Sequence, residues 1–308
     1  SMFSTLKEGR VRYGLMLRED GFIMDDGTTA RMGRNHYVMT TTTAAAGQVM
    51  AHLEFVLQAL RPEWDVRIVS ATEQWAQFAV AGPKARELLN GLLDQAIGST
   101  SFPFMACGEV SVMGVKGRLF RISFSGEEGY EIAVPARYGD SLFRTLTARA
   151  EALGGGLYGM EALNVLRIEK GFITHAEING TVTMHDLGME KMLSQKKEFI
   201  GKALAQRPGL TDVMRQRLKP VGAVKQITAG AHLFNADDPA ERVYDQGYVT
   251  SAGFSPTLGH MIGLAFLKNG PERIGEHIRM VDHMRGLDAV CEVVNPVFFD
   301  PEGGRLRG

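Results

Sequence analysis

The sequence predicts an α+β chain in two parts, mixed helices and strands over residues 1–207 and a small β-barrel or sandwich over 208–308. Three observations predict it. Apolar residues recur at helical spacing in some stretches and alternate in others, without the regular strand–helix–strand order of a doubly wound sheet. Past Pro208 the helical spacing disappears, and short β-like runs follow one another between clusters of Gly, Asn, Asp and Pro. With 308 residues, 44% hydrophobic and 22% charged, the chain has the apolar material for a sizeable core and the length for two domains.

Taken in order, residues 14–24 are extended and apolar with a turn at Glu19-Asp20-Gly21, and they run into Asp25-Asp26-Gly27. This reads as a hairpin ending in an acidic turn. Val49, Met50, Leu53, Val56, Leu57 and Leu60 keep helical spacing ahead of Pro62, which predicts an amphipathic helix over 44–60. Residues 66–69 and 77–81 alternate as strands, and Gly82-Pro83 opens a second helix carrying Leu88, Leu89, Leu92 and Leu93. A hairpin is expected over 110–124, a strand over 130–134, and helices over 138–153 and 160–170. In the second part the β-like runs are 221–227, 243–250, 262–266, 277–281 and 289–294, with the domain boundary near 206–211.

Thirty-four basic against thirty-five acidic side chains give a formal net charge of −1, so no electrostatic footprint for nucleic acid or an anionic membrane is present. Cys107 and Cys291 stand far apart in apolar surroundings, which suggests neither a disulfide framework nor a cysteine metal site. Reduced cysteines and the lack of an export segment predict a cytoplasmic protein. The glycines of 154–159 satisfy G-x-G-x-x-G but follow a predicted helix, where a dinucleotide site requires a preceding strand. Gly201-Lys202 lacks the rest of a phosphate loop, the histidines make no zinc pattern, and no G-x-S-x-G elbow occurs. No metal is expected.

Two acidic clusters remain. Asp25-Asp26 ends an apolar run, and Glu127-Glu128 lies between Gly126 and Gly129. Each is either a solvated turn or a carboxylate presented to a cleft, and the residue pattern allows both.

Four segments in this order carry a resemblance: 21–26 (GFIMDD), 126–132 (GEEGYEI), 166–171 (LRIEKG) with 199–201 (FIG), and 250–256 (TSAGFSP). Together they resemble the aminomethyltransferase, or glycine cleavage T-protein, superfamily over nearly the whole chain. Residues 13–21, Thr40 to Thr43 and 72–76 are most similar to its sarcosine oxidase alpha-subunit branch. Leu163 stands where T-proteins carry an arginine, which puts autonomous glycine cleavage in doubt, and 170–173 lacks the cysteine motif of the folate-binding iron–sulfur maintenance branch.

The resemblance implies an aminomethyltransferase fold with a C-terminal β-barrel and a tetrahydrofolate site. By family position Asp25 is the catalytic carboxylate, Asp26 its support, Glu127 the acceptor for the pterin's amino and N3–H donors, and Tyr13 an aromatic or hydroxyl contact. Arg167 and Glu169 are expected to be structural. The implied reaction captures the methylene iminium from sarcosine oxidation as 5,10-methylenetetrahydrofolate. Flavin and NAD are expected only in the full oxidase, whose beta, gamma and delta subunits are the implied partners. A free-standing aminomethyltransferase and a non-catalytic folate scaffold are the alternatives. The chain is also expected to be a truncated piece that does not oxidise sarcosine by itself.

Overall fold

The computed structural model describes residues 2–210, 215–221 and 226–308, with the strand path alone for 215–221. The chain divides into two compact units, one of Ser1–Leu15, Asp25–Tyr158 and Gly303–Gly308, the other of Met16–Met24 and Gly159–Glu302. Part of the expected boundary, residue 211, lies outside the described residues.

In the first unit, β1 (Arg10–Leu17), β2 (Ile23–Gly33) and β3 (His36–Met39) form a sheet in that order, followed by α1 (Ala46–Phe55). The acidic pair does not sit in a turn. It lies inside β2: Ile23 and Asp25 are buried on either side of the less buried Met24, and the strand runs on past the pair to Gly33. Residues 66–69, expected as a strand, form none. A second sheet takes the order β4–β7–β6–β5 from β4 (Trp75–Ala81), β5 (Cys107–Val112), β6 (Val115–Phe120) and β7 (Gly129–Pro135). Helices α2 (Ala85–Asn90) and α3 (Gly139–Ala152) lie on one face, where Leu88, Leu89, Leu142 and Leu146 close a core with Val80, Leu119, Tyr130, Ile132 and Val134. The opposite face packs on the first sheet: Cys107, Phe120 and Ile122 form one cluster with Val11 and Ala30. Strand side chains alternate between faces, so the even-numbered face of β7 is fixed in the helix core and its odd-numbered face must look toward the first sheet.

In the second unit, α4 (Met160–Lys170) ends at Gly171, whose φ of 75° is the left-handed conformation that stops a helix at low steric cost. The barrel is closed in the order β10–β11–β8–β13–β12–β9, from β8 (Arg215–Val221), β9 (His232–Asn235), β10 (Gly247–Ser255), β11 (His260–Lys268), β12 (His277–Asp282) and β13 (Leu287–Val294). Closure leaves no unpaired sheet edge. The run expected at 221–227 falls partly on 222–225, outside the described residues. The run expected over 243–250 starts later and continues to Ser255, and β9 has no counterpart among the expected runs.

Helix α4 is tied to β10 by a buried polar network. Glu177 accepts hydrogen bonds from Thr250 Oγ1 at 2.6 Å, Ser251 Oγ at 2.7 Å, the Thr174 N–H at 2.8 Å and Arg167 Nη1 at 3.0 Å. Asn164 Oδ1 takes two further N–H groups of Arg167. Arg167 and Glu169 are both buried, with Ser255 Oγ donating to Glu169 at 2.5 Å, which suits the structural role expected for them.

Burial opposes ionisation of Glu177, but Arg167 and the two hydroxyls outweigh it and hold the carboxyl below the usual range. Its stabilising contribution is therefore complete above the unfolded value of about 4.3 and is lost as pH falls through the lower folded value. Glu177→Ala leaves a buried guanidinium without its counter-charge and is expected to cost about 3–5 kcal/mol. Urea unfolding at neutral pH checks this, and a loss below about 1 kcal/mol would contradict the network's role.

Candidate functional site

All the residues singled out for chemistry lie in the first unit. Asp25 is 2% exposed, and its Oδ2 accepts the backbone N–H of Thr42 at 3.0 Å. Gly27 makes this approach possible: a Cβ there would lie 2.0 Å from the Thr40 carbonyl oxygen, so any side chain would push the 40–42 segment off β2. Thr40 completes the contact through its own N–H to the Thr28 carbonyl at 2.8 Å and its Oγ1 to the Thr28 N–H at 3.0 Å.

Asp26 has a different setting. The Tyr13 hydroxyl donates to its Oδ2 at 2.7 Å, and Thr42 Oγ1 makes a longer contact to Oδ1 at 3.5 Å. Burial pushes the Asp26 carboxyl above the usual aspartate range, the Tyr13 bond works against that rise, and the charge of Asp25 adds to it. On β2, Asp26 shares its face with Ala30, and on β1 Tyr13 shares its face with Val11. Ala30 and Val11 both belong to the apolar cluster between the two sheets. Alternation thus turns Asp26 and Tyr13, but not Asp25, toward the second sheet.

The glutamates divide in the same manner. Glu127 follows Gly126, whose φ is +83°, and its carboxylate lies 3.4 Å from Arg305 Nη1. Glu128 is committed to Arg86 at 2.6 Å and accepts the Tyr130 hydroxyl at 2.9 Å. Glu131 is on β7, where Tyr130, Ile132 and Val134 point into the helix core, so Glu131 occupies the face toward the first sheet. Gln77 Nε2 donates to its Oε2. Burial pushes the Glu131 carboxyl up, with the Gln77 bond opposing, and among the described residues no cation pairs with it. Its strand neighbour on β4 is Ala79, which is exposed, so the face beside this carboxylate is open.

The structure therefore brings Tyr13 together with Asp26, and Asp25 together with Thr42, and it ties Glu127 to Arg305. Thr42, Gln77 and Glu131 are additions that the sequence reading does not single out. The signal for Glu131 is present in the alternation of Tyr130, Ile132 and Val134. Thr42 and Gln77 meet their partners only through tertiary contacts. No group of three or more potential metal ligands occurs among the described residues, nor does any helix long and apolar enough to cross a membrane.

Residues 1–197 match the GCVT N-terminal domain, and 217–300 match the glycine cleavage T-protein C-terminal barrel domain. The sarcosine oxidase subunit alpha of Rhizobium meliloti (strain 1021) is 49% identical over 311 residues, which covers 99% of this chain and 32% of that protein. The chain thus spans about a third of the length of that relative. An aminomethyltransferase of Thermus thermophilus is 31% identical over 275 residues, covering 87% of this chain and 71% of the enzyme. The crystal structure of glycine cleavage system aminomethyltransferase T from Bartonella henselae superposes with a TM-score of 0.81 at 22% identity, over 96% of this chain and 78% of that one, and shares its fold. With both parts of the chain matched in order and an aminomethyltransferase aligned through most of its length, the chain belongs to the glycine cleavage T-protein (aminomethyltransferase) family.

Proposed function

We propose that this chain is a tetrahydrofolate site for one-carbon transfer that works within a sarcosine oxidase of the alpha-subunit type. The observation that carries the reading is the pair of carboxyls, Asp26 and Glu131, on sheet faces that look toward each other across one apolar cluster. A reduced pterin offers its amino group and N3–H side by side, and a desolvated carboxylate with no cation partner is the side chain suited to accept both. Glu131 fits that description better than Glu127, whose charge is already met by Arg305. When bound, tetrahydrofolate would supply the two nitrogens that take over the methylene carbon of the iminium from sarcosine oxidation, with its bond to the amine nitrogen broken and glycine released, giving 5,10-methylenetetrahydrofolate.

The chain's own contribution is electrostatic. A carboxylate held in a dry site favours positive charge developing beside it without having to reorganise. The geometry favours Asp26 for this role, with Asp25 fixing the strand against Thr42, the reverse of the division expected from family position. Asp26, with its raised carboxyl, can also hold a proton released from a nitrogen at a pH where an ordinary aspartate would have lost it. Tyr13 sets how strongly that proton is held. Association with the other oxidase subunits, which would deliver the iminium, belongs to the same proposal; the high identity to the Rhizobium meliloti subunit and the leucine at 163 favour it over a free-standing aminomethyltransferase.

Purified chain is expected to bind tetrahydrofolate and to form no hydrogen peroxide from sarcosine. Failure of a folded sample to bind would leave a scaffold, and peroxide formation would contradict the division of labour. Glu131→Gln should weaken tetrahydrofolate binding by about 2 kcal/mol, roughly thirtyfold, with Glu127→Gln near wild type, and the opposite order would return the role to Glu127. In the oxidase assembled with its partner subunits, Asp26→Asn is expected to lower folate-dependent transfer roughly a hundredfold, corresponding to about 3 kcal/mol, and unchanged transfer would sink the assignment. Tyr13→Phe removes a bond to the ionised form, so the Asp26 carboxyl should titrate at higher pH than in wild type. Carbon NMR of the labelled carboxyl reads this directly, and no upward movement would exclude Tyr13 as the controlling group.

A further inference from the structure

Beside Glu131 the second sheet carries a side chain whose hydrogen-bonding capacity is only partly used. Gln77 lies opposite Ala133 on β7, and Ala79 lies opposite Glu131, so the Ala79 side of the pair is flanked by a small side chain, while Trp75, with Arg118 stacked on its ring, stands on the other side of Gln77. Gln77 itself is exposed. One Nε2–H of Gln77 is engaged by Glu131 Oε2. Its other Nε2–H and its Oε1 meet no partner among the described residues. The carboxylate also fixes which way the amide is turned: a flip would set Oε1 against Glu131 oxygen, acceptor against acceptor. Two acceptors on Glu131 are thus followed by one donor and one acceptor on Gln77.

We propose that Gln77 is a specificity-determining residue that reads the reduction state of the pterin ring. The inference rests on the folate reading and on Glu131 as the acceptor of the amino and N3–H edge. The neighbouring edge of a tetrahydro- or 7,8-dihydropterin carries N1, an acceptor, and N8–H, a donor. The free N–H and C=O of Gln77 are the complement of that edge. In the fully oxidised pterin N8 has no hydrogen, and its lone pair would face Oε1. Once a bound ring covers the exposed amide, an acceptor left facing an acceptor costs more than a lost bond, which makes this contact a discriminator. Apolar residues at 77 would accept both oxidation states alike.

The test is a binding titration of the purified chain with tetrahydrofolate, 7,8-dihydrofolate and folic acid, followed by tryptophan fluorescence, since Trp75 stands two positions along β4 on the same face. The dihydrofolate and folic acid pair isolates N8–H most closely. Wild type is expected to favour dihydrofolate over folic acid by about tenfold or more, the size of one matched hydrogen bond against a mismatched one. Gln77→Met should bring that ratio near one, mainly by weakening dihydrofolate, while both ligands still bind through Glu131. Gln77→Thr, a good strand former at an exposed position, should do the same and guards against a folding defect in the first variant. A wild-type ratio near one, or a ratio retained in a folded variant, overturns the proposal and leaves the folate site standing. If wild type binds none of the three ligands, the folate reading falls and this inference with it.

Discussion

The contact on which the site depends is apolar. Val11 and Ala30 on the first sheet meet Cys107, Phe120 and Ile122 on the second, and this cluster sets two sheet faces toward each other. Because side chains alternate strictly along a strand, fixing one residue on an inner face fixes every second residue after it. Val11 brings Tyr13 with it, Ala30 brings Asp26, and Phe120 faces the same side as its cross-strand neighbour Glu131. A register slip of one residue on β2 would exchange Asp25 and Asp26. The carboxyls of the site are polar groups carried inward by their hydrophobic neighbours.

That placement explains why the two titrating acids differ from their sequence neighbours. Asp25 and Glu127 are each answered by the protein, the first by a backbone N–H and the second by Arg305. Asp26 and Glu131 are raised by burial, and the hydrogen bonds they receive from neutral partners, Tyr13 and Gln77, oppose that rise without cancelling it. A buried charge without a cationic partner is costly, and structures retain such groups where a ligand or a reaction uses them. In the second unit the buried Glu177 has the opposite character. It is held down by Arg167, Thr250 and Ser251, and it joins α4 to the barrel wall.

Much of the architecture is legible in the sequence because it depends on local periodicity and turn chemistry. The helices at Ala46–Phe55, Gly139–Ala152 and Met160–Lys170, the strand at Gly129–Pro135 and the shift to a β-rich second part follow from apolar spacing and from glycine and proline positions. The failures have physical causes. Asp25-Asp26 reads as a turn because consecutive acids are usually solvated, and here β2 extends through them under cover of Thr40 to Thr42. Residues 66–69 alternate like a strand but have no strand to pair with. The short β9 is recruited by β10 and β12, which its own four residues could not announce.

By itself the sequence determined the fold class and the family resemblance and pointed to the segments of the candidate site, since motifs such as GFIMDD and GEEGYEI are contiguous and keep their meaning without coordinates. Which acid in each motif is turned toward the other sheet was decided only by the tertiary structure. Adjacent residues on a strand point to opposite faces, and the choice of face is made by packing between strands distant in sequence. The partners Thr42 for Asp25, Arg305 for Glu127 and Gln77 for Glu131 likewise come from far along the chain, and it is these partners that separate an answered carboxylate from one left available to a ligand.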